Sequence, residues 1–119
     1  MTSDAESRRG VQNPAVVDLV FEDVKSGKFI LVMIESRDWT GSHEQFEELK
    51  KKLDAYLAFA LGGELAKKYP DSVGKKVRID LVSFSEPGTE IREFLQGIRK
   101  RLEEYEVEFN VVVRLKLPS

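Results

Sequence analysis

A chain of 119 residues, 41% hydrophobic and 34% charged, is expected to fold as one domain with a well-solvated surface and a core that needs no staples. Its 19 basic and 21 acidic residues leave a net charge of −2, which gives no drive towards nucleic acid or an anionic membrane. The absence of cysteine excludes disulfides, thiolate metal sites and cysteine nucleophiles, and the sole histidine, His43, excludes a two-histidine metal site within one chain.

Residues 1–13 carry one large apolar residue, Val11, and read as a disordered leader that cannot offset its own ordering entropy. The leader holds no signal-peptide core, and the longest apolar run, Phe29 to Ile34, falls far short of the roughly 20 residues that span a bilayer. A cytoplasmic protein without membrane contact is expected. The folded domain is expected over residues 14–119. Val16 to Phe21 alternates as a first strand, with Val17, Leu19 and Phe21 on one face and Val16, Asp18 and Val20 on the other. Asp23 to Gly27 reads as a turn, and Phe29 to Glu35 returns as an almost continuously apolar strand. So short a connection implies an antiparallel hairpin.

Ser42 and Gln45 have capping-box spacing, and Phe46, Leu49, Leu53, Tyr56, Leu57 and Ala60 follow at helical intervals until Gly62-Gly63. Glu64 to Tyr69 reads as a short extra helix stopped by Pro70. Val77, Ile79 and Leu81 alternate with Lys76, Arg78 and Asp80 as a third strand. Pro87 then suits the first turn of another helix, with Ser85 as its cap. Its inner stripe is Ile91, Phe94, Leu95, Ile98, Leu102 and Tyr105. A fourth strand alternates through Val107, Phe109, Val111, Val113 and Leu115.

The element order is β-β-α-β-α-β. Right-handed crossovers place both main helices on one face, giving an α/β (α+β) two-layer sandwich. Its four-stranded mixed sheet would have strand order 1-2-3-4, with the first strand antiparallel to the rest. The helix-facing layer is expected to hold Val17, Leu19, Phe21, Ile30, Val32, Ile34, Val77, Ile79, Leu81, Phe109, Val111 and Val113. The reverse face would carry Val16, Asp18, Val20, Phe29, Leu31, Met33, Arg78, Val82, Phe84, Asn110 and Val112, which is too apolar for bare solvent. A homodimer that buries this face or an edge strand is therefore expected.

The chemistry-bearing residues gather where the second strand ends. Glu35, Arg37, Asp38, Trp39 and His43 would line a binding site at the carboxyl end of a strand, where open α/β sheets tend to hold ligands. Trp39 would give a flat wall, Arg37 a planar cation, and Glu35 or His43 a proton acceptor. The plainer alternative has Trp39 packing on the helix start, Arg37 pairing with Asp38, and His43 in solvent.

A catalytic reading also exists. Asp18 on one strand and Glu35-Ser36-Arg37 on the next resemble the Asp…Glu-x-Lys arrangement of restriction-endonuclease-like nucleases, in which two carboxylates hold a divalent metal and a lysine supports the attacking water. A turn centred near Lys25 would make Asp18 and Glu35 diagonal neighbours on one face, roughly 7–8 Å apart. Against this, Arg37 stands in place of the lysine and cannot give up its proton. The preceding acidic helix is also missing, and there is no basic surface for a phosphate backbone. Lys50-Lys51-Lys52 reads as a solvated run, paired as Glu47 with Lys51 and Glu48 with Lys52. No phosphate-binding glycine loop is present, so no cofactor is expected.

Val17-Asp18, Met33-Ile34-Glu35-Ser36-Arg37-Asp38-Trp39 with Gly41-Ser42, and Gln45 with Lys52-Leu53 and Tyr56-Leu57-Ala58-Phe59 form a set of landmarks. Glu64-Leu65, Tyr69-Pro70, Gly74-Lys75 and Val77-Arg78-Ile79 extend it. On these residues, spanning about 14–114, the chain resembles a small bacterial family of uncharacterised α/β proteins. The resemblance implies the order of elements and supplies no catalytic residues. The expected function is that of a non-enzymatic module that self-associates or binds a protein partner. The alternative is a metal-dependent, nuclease-like enzyme using Asp18, Glu35 and Arg37.

Overall fold

The turn between the first two strands closes on Asp23. Its N–H donates to the Lys28 carbonyl at 2.9 Å, and its own carbonyl accepts from Gly27 N–H at 2.7 Å. Gly27 takes φ 74, a value that favours glycine. The structure, a computed structural model, describes residues 19–114. The expected leader, the start of the first strand with Asp18, and Leu115 lie outside the described residues. Within them the chain forms β1 (Leu19–Glu22), β2 (Phe29–Glu35), α1 (His43–Leu61), α2 (Glu64–Lys68), a 3-10 turn (Pro70–Ser72), β3 (Val77–Ser83), α3 (Thr89–Glu103) and β4 (Glu108–Val113). The sheet order is β1-β2-β3-β4, with β1 antiparallel to β2 and the other pairs parallel, as the sequence pattern implies.

The helices cover one face. Leu49, Leu53, Tyr56 and Leu57 of α1 and Ile91, Leu95, Ile98 and Leu102 of α3 pack with Leu65 of α2 onto Phe29, Leu31, Met33, Ile79, Leu81 and Phe109. The two long helices also meet each other, through Phe46 and Phe94 rings 4.4 Å apart and the Arg101–Asp54 ion pair at 3.2 Å.

The facing of β1 and β2 corrects the sequence reading. Parallel register sets Leu31 beside Ile79 and Met33 beside Leu81, and cross-strand neighbours share a face. Phe29, Leu31 and Met33 therefore point at the helices, with Val20 packed against that core. Ile30, Val32 and Ile34 point the other way, and so do Leu19 and Phe21. Six successive apolar residues carry no period-2 signal, so β2 takes its facing from the strongly alternating β3.

The reverse face is also less bare than expected. The chain itself buries Ile30 and Val32, leaving Leu19 and Phe21 there at 47% and 44% exposure. Further along, Arg78 grips Asp80 through two hydrogen bonds of 2.8 and 3.1 Å, and Lys28 reaches across β3 to Glu108. Those hydrogen bonds raise Arg78 and lower Glu108 from their usual pKa values.

Helix ends supply two further corrections. Gly88, not Ser85, precedes the first turn of α3, and no side chain caps it. The Ser85 hydroxyl is buried with no hydrogen-bond partner. Tyr105 leaves the inner stripe: α3 stops at Glu103, and Tyr105 is exposed. The stop is a Schellman-type turn in which Val107 N–H reaches the Leu102 carbonyl at 3.1 Å and Glu106 takes φ 58.

Candidate functional site

β2 runs out at Glu35, whose position in the pleat aims its side chain at the helix layer, level with Ser83 of β3. The side chain is wholly buried. A buried carboxylate persists only if its oxygens are met by donors. Glu35 Oε1 accepts from Arg37 N–H at 3.0 Å and from Arg37 Nε at 2.9 Å. Oε2 accepts from Arg37 Nη2 at 2.9 Å and from Gln45 Nε2 at 3.3 Å. Four donors thus fill the acceptor positions of one carboxylate. The remaining fork nitrogen, Arg37 Nη1, donates to Glu48 Oε1 at 2.9 Å. The bond to Glu35, with Glu48 second among the favourable contacts, raises the Arg37 pKa despite partial burial.

Gln45 is the hub of the loop. Its carbonyl oxygen accepts from Thr40 N–H at 2.9 Å, and its amide also donates to the Asp38 carbonyl at 3.1 Å. The expected capping box is therefore half formed. Ser42 Oγ accepts from Gln45 N–H at 3.2 Å, whereas Ser42 N–H turns to Thr40 Oγ1. Gln45 spends its side chain on the strand end instead of on the cap. Trp39 anchors the same loop to the neighbouring strand: its indole N–H donates to Ser83 Oγ at 2.8 Å, and Ser83 passes a bond of 2.7 Å to the Ser85 carbonyl.

The structure divides the sequence candidates. Glu35 and Arg37 meet, with Gln45 and Glu48 joining them. Arg37 and Asp38 border a cavity of about 230 Å³ with Thr40, Ser42, Glu44, Gln45 and Glu48. Trp39 packs half-buried against the core, and His43 is exposed on the first turn of α1; neither lines that cavity. The expected Arg37–Asp38 pair gives way to Arg37–Glu35. Asp18 lies outside the described residues. Among the described residues no three histidine or carboxylate side chains are placed to hold a metal ion.

Lys52 departs from the solvated run that the sequence pattern implies. It is fully buried, its ammonium 5.6 Å from the centre of the Tyr56 ring. Gln45, Leu49, Lys52, Leu53 and Tyr56 follow one helical stripe, and that spacing was the available signal. The expected helix pairing also changes, since Glu48 turns to Arg37 and Glu47 pairs with Lys50 at 3.6 Å. Tyr56 in turn donates to the Val32 carbonyl at 2.6 Å, tying α1 to the middle of β2.

Two larger or comparable cavities lie away from this loop, along α3 and β4. One of about 420 Å³ is bounded by Lys76, Arg99, Glu103 and Phe109, and one of about 240 Å³ by Arg92, Leu95, Val111 and Val113. No helix among the described residues is long and apolar enough to cross a membrane. No curated protein and no solved structure matches the chain. A family model does match, over residues 9–115, and the chain belongs to that family of unknown function, DUF6572.

Proposed function

We propose that this chain works by binding and not by chemistry: a small cytoplasmic module that self-associates, or takes a protein partner, through its sheet. The observation that carries the reading is where unsatisfied surface lies. Glu35 and Arg37 at the end of β2 are consumed by each other and by Gln45 and Glu48, while the sheet ends in two edge strands that expose apolar side chains. Leu19 and Phe21 are 47% and 44% exposed on β1, and Val111, Val112 and Val113 are only partly covered on β4. Exposed edges of this composition favour pairing with another chain. The knot around Glu35 then serves to hold the loop and the α1 start rigid.

Light scattering on the full-length protein tests the reading. Twice the single-chain mass of 13.6 kDa supports self-association, and a single-chain mass with no partner captured from cell extract removes it. The nuclease-like alternative asks Glu35 to bind a divalent metal. To do so it would have to surrender donors from Arg37 or Gln45 while buried, which disfavours that use. Magnesium- or manganese-dependent cleavage of a generic nucleic acid, lost in Glu35→Ala, would restore the alternative.

A further inference from the structure

Two backbone contacts fix which way the peptide groups of β4 point. Arg114 N–H donates to the Ser83 carbonyl of β3 at 2.7 Å, so the even-numbered residues of β4 turn their polar backbone towards β3. Arg99 Nε donates to the Phe109 carbonyl at 3.1 Å from α3, so the odd-numbered residues turn theirs outward. A strand alternates in this way along its length. Phe109 has its carbonyl covered by Arg99. The outward N–H and C=O groups of Val111 and Val113 meet no partner among the described residues. Nothing in residues 109–113 guards this edge: there is no proline, lysine or bulge.

The surroundings of the edge are polar in a directional way. At the start of β4 three carboxylates, Glu103, Glu106 and Glu108, are balanced by Lys28, Lys76 and Arg99. At its end Arg92 and Arg114 outnumber Glu86. The two cavities beside β4 lie at these two ends and share Arg99.

We propose that β4 is the site of self-association, pairing antiparallel with β4 of a second copy about a two-fold axis to make one eight-stranded sheet. The proposal rests on the binding reading above and names its surface. Antiparallel pairing brings the three carboxylates at the start of one β4 to the arginine-rich end of the other, whereas parallel pairing would set the two cationic ends together. The Arg99 tether selects the register. With Phe109 engaged, the free groups pair as Val111 with Val113 of the second copy and the reverse, giving four N–H···O bonds. Val112 then sits on the axis facing its own copy, at the non-hydrogen-bonded position where backbones approach to about 4.5 Å.

The chain has no cysteine, so Val112→Cys supplies a single thiol in the full-length protein, at a spacing a disulfide spans. Mild oxidation should convert V112C almost completely into a covalent dimer, and Leu19→Cys should not cross-link. Val111→Pro deletes an outward N–H that the β3–β4 ladder does not use. It should weaken dimerisation about tenfold or more while the circular dichroism spectrum stays unchanged. A wild-type dimer in which V112C fails to cross-link and V111P keeps full affinity overturns the β4 site but leaves self-association standing. A wild type of single-chain mass overturns both.

Discussion

Glu35 and Arg37 show how a charged cluster that looks chemical can be structural. The carboxylate is out of water and accepts four hydrogen bonds, three of them from Arg37. Arg37→Ala removes the fork and leaves a buried charge with two donors, the residue-37 N–H and Gln45. Removing one partner of a buried pair costs about 3–5 kcal/mol, and partial exposure of the arginine lowers that to about 2–4 kcal/mol here. Urea unfolding should show this loss, and Arg37→Lys should recover only part of it, because an ammonium cannot make the bidentate contact. An unchanged urea midpoint in Arg37→Ala would mean that the knot carries no stability. The cluster itself was legible, since five reactive side chains follow an apolar strand. What joins them was not. Gln45 and Glu48 reach Glu35 and Arg37 only because the loop folds back over the strand end, a path that no spacing in the sequence encodes. Lys52 is the opposite case, present in the helical stripe but masked by its two lysine neighbours.

At the scale of elements, every described strand and α-helix was legible in the sequence, most from periodicity and β2 from its apolar run, and the errors sit where periodicity is silent. β2 has no alternation, so its faces came out reversed. α3 has no glycine at its end, so its inner stripe seemed to run on to Tyr105. That end holds a testable strain. Glu106 occupies the left-handed position of the turn at φ 58, a conformation that costs an L-residue about 1–2 kcal/mol. Glycine avoids the clash but adds freedom to the unfolded chain. Glu106→Gly should therefore stabilise by about 0.5–1 kcal/mol, read as a Tm higher by a few degrees. A second test links elements that are not neighbours. Lys28, just before β2, lowers the pKa of Glu108 on β4. A depressed folded-state carboxylate contributes stability above its ordinary pKa and loses it as pH falls through the folded value. The stability difference between wild type and Lys28→Met should thus be present at neutral pH and shrink on acidification below the usual carboxylate range. Lys28 is partly and Glu108 half exposed, so the effect should be small and should weaken in salt. A difference that grows on acidification would contradict the pairing.

For the whole molecule, the arrangement of layers decides where a second chain can dock. One face of the sheet is closed by three helices, and the reverse face is partly closed by the chain's own burial of Ile30 and Val32. The reverse face is apolar, as the pattern implies, but through Leu19, Phe21, Ile30, Val32 and Ile34 in place of Val20, Phe29, Leu31 and Met33, and Ile30 and Val32 are buried there. The edges then become the places where backbone hydrogen-bonding groups remain to be satisfied. If two copies share a sheet through β4, unfolding is coupled to dissociation and stability depends on concentration by mass action. A hundredfold rise in protein concentration adds about 2.7 kcal/mol per dimer, or about 1.4 kcal/mol per chain, which should lift Tm by about 4–8 °C. Val111→Pro, which keeps the chain's own ladder, should flatten that dependence. A wild-type Tm that stays constant over the same range would show that each chain unfolds alone and that β4 meets no second copy.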